Sequence, residues 1–172
     1  LQKPDSLNPD IQDAMFSLVA WSGATSYAKL LHLYKTAPSQ EQKIRFLGAL
    51  SSFKDPKLLQ RTLDLSQSKL VRSQNMHIPI MRISTNPYGK KILWPWLQKN
   101  WKTLRTKVGT GSPLLNRVVS SISAVADDSM QAEIKQFFKK NPTPILFPEK
   151  DSLLKYEWKG GIEDPRIVGT ED

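Results

Sequence analysis

A chain of 172 residues with an ordinary apolar content is long enough for one compact domain and a short extension, and no stretch approaches the roughly 18 consecutive apolar residues a membrane helix needs. Its net charge of +9 favours acidic partners or anionic ligand groups. The lack of cysteine excludes disulfides, thiolate nucleophiles and thiolate zinc sites, and makes a reducing compartment, the cytoplasm, the expectation.

Leu1-Gln2-Lys3-Pro4-Asp5 offers neither an initiating Met nor an apolar signal region, so no signal peptide is expected and the chain reads as cut from something longer. Asn8-Pro9 predicts a capped helix start, with Ile11, Met15, Leu18 and Val19 on one apolar face and Gly23 closing it. A second helix carries Tyr27, Leu30, Leu31 and Tyr34 and stops at Pro38. Ser39-Gln40-Glu41-Gln42 has the pattern of a capping box, in which hydroxyl and amide each satisfy an orphan backbone N–H, and Ile44, Leu47 and Leu50 continue that helix. Asp55-Pro56 opens the next, with Leu58, Leu59, Leu63 and Leu65. Ser73 or Asn75 then caps a helix through Ile78 and Ile83; Asn86-Pro87 and Ser112-Pro113 open two more, and Asp127 or Asp128 caps the one ending near Phe138. Pro79 and Pro95 inside these patterns predict kinks or first turns.

These signals group into four helical pairs, about 9–37, 39–67, 74–106 and 113–140, which together make about eight helices. The expected fold is all-α, an αα-hairpin repeat in which each hairpin needs its neighbours to bury its apolar face. Asn141-Pro142 and the breakers that follow, Gly160-Gly161 and Pro165, predict an irregular tail. Charge changes at the same place. Up to Pro144 there are 21 Lys/Arg against nine Asp/Glu; beyond it there are four against seven. The division is therefore drawn as a helical domain over 1–142 and a tail over 143–172.

No sequence motif in the first 140 residues supplies catalysis. The only histidines, His32 and His77, stand far apart and lack the His-Glu-x-x-His spacing of a zinc protease; His32 reads as a packing or helix-surface residue and His77 as a first-turn residue. No metal ligand set and no catalytic residue is expected within the helical part. Between Asp64 and Asp127 there is no acid but ten Lys/Arg, with Tyr88, Trp94, Trp96 and Trp101 interleaved. Such a pattern suits a nucleic-acid surface, where cations meet phosphates and rings stack on bases. The seven-residue spacing of Trp94 and Trp101 instead places both on one helical face, as core, and leaves the cations outside or lining a hollow. Arg72, in Val71-Arg72-Ser73-Gln74-Asn75, reads as a structural ion-pair donor.

The ordered landmarks Val71-Arg72-Ser73-Gln74-Asn75, Asn86-Pro87-Tyr88-Gly89, Leu93-Trp94-Pro95-Trp96-Leu97, Lys99-Asn100-Trp101 and Glu133-Ile134-Lys135-Gln136-Phe137-Phe138 carry a resemblance. So do Glu41 to Leu50 and Asp55 to Leu59 upstream. Over about residues 8–142 the chain resembles the C-terminal HEAT-like domain of the zinc aminopeptidases of the puromycin-sensitive type. That resemblance implies a non-catalytic domain that closes the substrate chamber, partners the parent's catalytic domain and a peptide substrate, and leaves zinc and its ligands in the parent. It also makes Arg72, Arg82 and Lys102 candidates for a peptide-facing surface. One alternative is a free-standing scaffold for acidic protein or nucleic acid; a nucleic-acid or membrane partner is not the expectation. In the tail, Gly160-Gly161-Ile162-Glu163-Asp164-Pro165-Arg166-Ile167-Val168 is similar to a motif of the mannoside phosphorylase glycosidases. That likeness implies an acid-catalyst role for Asp164 and a pocket position for Arg166, provided the tail belongs to a functional glycosidase. The other alternative is therefore a fragment of a mannoside phosphorylase-type glycosidase, with the tail over 143–172 as a fusion or truncated piece of it.

Overall fold

The computed structural model describes residues 8–142, and within them every regular element is helical. In order these are α1 (Pro9–Trp21), α2 (Ser26–Thr36), α3 (Gln40–Leu50), α4 (Pro56–Gln67), a 3₁₀ turn (Ser73–Asn75), α5 (His77–Ser84), α6 (Lys90–Val108), α7 (Pro113–Ser123) and α8 (Asp128–Lys140). Side-chain caps set four of the expected starts. Ser39 Oγ accepts from Gln42 N–H, Asp55 from Lys57 N–H at 2.8 Å, and Ser112 Oγ from Leu115 N–H. Asp127 caps α8 through Met130 N–H; each such cap stabilises its helix by about 1 kcal/mol. Pro79 falls in the first turn of α5, whereas Pro95 lies inside α6.

Two expected starts are built differently. Neither Ser73 nor Asn75 caps α5: both lie in the 3₁₀ turn, and Met76 precedes α5 without a side-chain cap. Asn86-Pro87 does not open α6, which begins three residues later after Gly89. Asn86 instead accepts from Tyr88 N–H and donates its amide to the carbonyls of Ser51 and Phe53, both at 3.0 Å. Its side chain is used to tie the α5–α6 turn to the α3–α4 turn, a tertiary demand that outweighs local capping.

Successive helices pair as hairpins and stack in two layers. One layer runs α1, α3, α5, α7, each packed on the next. In the other, α2 meets α4 through a Tyr27–Thr62 hydroxyl contact, α4 packs on α6, and α6 meets α8 through aromatic rings. The shared core includes Leu30, Leu47, Leu50, Phe53, Leu59, Leu63, Ile80, Ile83, Leu93 and Leu97. Polar ties join consecutive pairs. Tyr34 Oη donates to Leu70 O, and Lys107 Nζ donates to the carbonyls of Gln67 and Ser68 at the C-terminal end of α4, where a cation also complements the helix dipole.

The orientation of α1 departs from expectation. Phe16 and Ala20 face the core, while Ile11, Met15 and Leu18 are exposed, Leu18 at 60%. Trp21 is also exposed, at 53%, with Lys54 Nζ 4.5 Å from its ring. The helix is apolar on two adjoining faces, and α3 covers only one of them.

Candidate functional site

The acid-free stretch folds into the end of α4, α5, α6 and α7, so its cations emerge on different surfaces. Trp94 and Trp101 are each only 3% exposed, as their spacing predicts, and their rings meet Phe137 and Phe138 of α8 at 5.3–6.4 Å. Trp96 is buried too and donates its indole N–H to Asp64 at 2.8 Å. Of the four interleaved aromatics only Tyr88 is exposed, so there is no platform on which bases could stack in succession.

The three candidate peptide-facing residues are not brought together by hydrogen bonds or ion pairs. Arg72 is exposed ahead of the 3₁₀ turn, and no carboxylate among the described residues lies within ion-pair distance of it, so the expected structural ion pair is not formed there. Arg82 leaves α5, crosses α3 at Gly48 and reaches Asp13 of α1 at 3.4 Å. Arg45 meets the same carboxylate at 3.1 Å and Glu41 at 2.8 Å. This network spans three helices of one layer. Its carboxylates are open to solvent, so screening leaves each pair a weak contribution to stability. Nothing in the sequence signals a pairing across 69 positions.

Lys102 lies elsewhere, on a groove of about 420 Å³ between the second half of α6 and the end of α8. Lys99, Arg105, Trp101 and Phe137 also line it. A second hollow, of about 300 Å³, lies between α2 and α4 and includes His32, Lys35 and Arg61; Arg61 also stacks over the Tyr27 ring at 4.8 Å. His32 is on the surface, consistent with its sequence reading.

His77 begins α5 and is 9% exposed, with Nε2 3.1 Å from the Arg117 guanidinium of α7. Burial, and then the Arg117 charge, push its pKa below the ordinary value; the backbone at Gln74 pulls the other way. The neutral ring accepts from Arg117. A histidine with a depressed folded-state pKa binds its proton more readily once unfolded, so stability is full above an unfolded pKa of about 6.5 and declines as pH falls below it. Denaturant unfolding of the wild type should therefore show stability falling as pH drops below about 6.5, and His77→Gln should flatten that slope. An unchanged slope in the variant would remove His77 as its cause. Asp127 acts in a separate, lower window. Its bonds from Ser129 and Met130 lower its pKa, so its contribution disappears only as pH falls through the carboxylate range.

Among the described residues no three His, Cys, Asp or Glu side chains come together as a metal ion would require, so these residues do not fit a zinc centre. No helix among them is long and apolar enough to cross a membrane. Asp164 and Arg166 lie outside the described residues.

Paired helices in two layers, with Trp94, Trp96 and Trp101 inside and most cations outside, define an α-helical hairpin-repeat domain. The chain belongs to the ERAP1-like C-terminal domain family, whose profile matches residues 1–147. It is 35% identical over 136 residues to aminopeptidase 2, mitochondrial, of Saccharomyces cerevisiae, covering 77% of this chain and 14% of that protein. It is 33% identical over 119 residues to glutamyl aminopeptidase of Bos taurus, covering 69% and 12%. It is also 31% identical over 137 residues to aminopeptidase M1-A of Oryza sativa subsp. japonica, covering 77% and 15%. The chain thus spans 12–15% of the length of these relatives.

Proposed function

We propose that this chain is the non-catalytic C-terminal domain of a zinc aminopeptidase, a HEAT-like stack that closes the substrate chamber and helps recognise peptides whose N-terminal residue is removed elsewhere in the enzyme. The observation that carries this reading is the family match over residues 1–147, joined to relatives that are aminopeptidases. The exposed apolar face of α1 supports it physically. Repeat stacks normally end in polar capping faces, whereas Ile11, Met15 and Leu18 offer the kind of surface on which more polypeptide packs. In this reading the catalytic domain is the partner, zinc sits in that partner, and Arg72, Arg82 and Lys102 attract the acidic end of a peptide at long range. The reading also keeps a division near residue 142, supported by the charge reversal, and a cytoplasmic location, supported by the lack of cysteine.

Burial of Trp94, Trp96 and Trp101 weighs against the nucleic-acid scaffold. The two readings differ in measurable ways. The purified chain should bind no stoichiometric zinc, release no residue from aminoacyl amides, and bind unspecific DNA negligibly at physiological salt. Tight DNA binding with a steep negative slope against salt would favour the scaffold instead.

A further inference from the structure

We propose that the edge of the stack formed by the α1–α2, α3–α4 and α5–α6 turns is a peripheral docking surface for an anionic lipid bilayer. The turns within successive hairpins fall at one edge of such a stack, and two contacts join these three into a ridge. Lys54 Nζ of the α3–α4 turn lies 4.5 Å from the ring of Trp21 at the end of α1. Asn86 of the α5–α6 turn donates to the Ser51 and Phe53 carbonyls at 3.0 Å. With packed helices about 8–10 Å apart, the ridge is about 20 Å long. Trp21 and Tyr88, the only exposed aromatic residues among the described ones, both stand on it. Lys54, Lys57, Lys90 and Lys91 are exposed beside them, and no carboxylate among the described residues lies within ion-pair distance of these lysines. Asp55, the one acid inside the stretch, is engaged as the cap of α4. The α7–α8 turn carries Asp127 and Asp128, so the positive stretch ends before it.

Charge alone does not single out this edge. Lys35, Lys69 and Arg72 stand exposed at the opposite one, but without an exposed aromatic ring. The combination is what points to lipid. Indole and phenol rings favour the boundary between apolar and wet surroundings, and lysines beside them meet anionic headgroups. Protein interfaces also favour Trp and Tyr but are depleted in Lys, so this composition suits a headgroup layer better than an acidic protein. The turns are already ordered: Tyr88 N–H donates to Asn86 at 2.9 Å, and that residue is in turn tied to the neighbouring turn. Docking therefore needs little further ordering of the backbone. No helix among the described residues is long and apolar enough to cross a membrane, which makes the contact one of a surface. Sequence did not signal it, because Trp21 and Tyr88 are far apart in the chain and share an edge only through stacking. The inference does not rest on the pairing with a catalytic domain.

The test is co-sedimentation of the whole chain with vesicles of phosphatidylcholine alone, or with about one third phosphatidylserine, at fixed ionic strength. The anionic vesicles should bind the chain saturably, and the neutral ones at least about tenfold more weakly. Lys90→Gln and Lys91→Gln should each weaken binding by about fivefold. Trp21→Ser and Tyr88→Ser, both at exposed positions and checked for retained helix content, should do so by about as much. Lys69→Gln at the opposite edge should change it by less than about twofold. Absence of binding to anionic vesicles, binding that survives loss of both rings, or an equal loss in Lys69→Gln would overturn the proposal. So would binding of soluble polyglutamate with the vesicles left bare, which would make the partner an acidic protein. Because the readout contains no peptide turnover, failure here leaves the pairing with a catalytic domain untouched, and the converse holds.

Discussion

Trp101→Ala should destabilise the domain by about 3–5 kcal/mol, the usual cost of truncating a large buried aromatic, and should release α8 first. The second effect follows from how α8 is held. It has no fully buried residue of its own, and its aromatic contacts to the layer are Phe137 and Phe138 against Trp94 and Trp101. Edge-on ring pairs of this kind add about 0.5–1.5 kcal/mol each beyond the area they bury. Hydrogen exchange should show lost protection over Asp128–Lys140 while α2 to α4 keep theirs, since regions with few buried contacts open separately from the core. A loss below about 1 kcal/mol, with α8 still protected, would mean that the aromatic cluster does not hold the helix.

Gly89→Ala is the second large effect, and it is decided by space rather than backbone conformation. Gly89 has φ −92° and ψ −21°, which alanine adopts freely, so the lower entropy of the unfolded alanine chain would on its own stabilise by about 0.4–1 kcal/mol. A Cβ there, however, would sit 2.5 Å from Ile83 Cγ2 and 2.6 Å from the Ile83 carbonyl oxygen. Ile83 is fully buried and its carbonyl accepts from Asn86 N–H, so neither group can yield without moving the turn that Asn86 ties to Ser51 and Phe53. Overpacking of about 1–3 kcal/mol wins, and the denaturation midpoint should fall. Gly48→Ala is the useful contrast. Its Cβ would meet only the guanidinium end of Arg82, at 2.8 Å, a flexible group that can swing away from Asp13. The helix-propensity gain of about 1 kcal/mol then offsets a weak solvated ion pair, leaving stability nearly unchanged.

Local chemistry made most of the helices legible. Ser39, Asp55, Ser112 and Asp127 cap where their spacing to the following apolar stripe says they should, because a cap is satisfied within four residues. The burial of Trp94 and Trp101 followed from the helical period. What local pattern could not decide was α1. Its apolar residues form two adjoining stripes, and only contact with α3 selects Phe16 and Ala20 over Ile11, Met15 and Leu18. Asn86 misled for a related reason: its amide satisfies carbonyls more than thirty positions away, which no window of sequence contains. The candidate site was legible only as a cluster of charge. Sequence flagged Lys102 but not the groove, because Phe137 of α8 and Asn141 just past its end line it from the other side. The Asp13 link to Arg82 was likewise a product of stacking.

The most direct test mixes the purified chain with the catalytic fragment of a relative such as aminopeptidase 2 of Saccharomyces cerevisiae lacking its own C-terminal segment, and follows peptide turnover together with complex formation. A saturable complex that restores hydrolysis of peptides is the predicted result, with Ile11→Asp and Leu18→Asp weakening it at least about tenfold if the bare face of α1 is the seat of packing. No complex and no gain in turnover across the titration, with the chain folded throughout, would contradict the assignment.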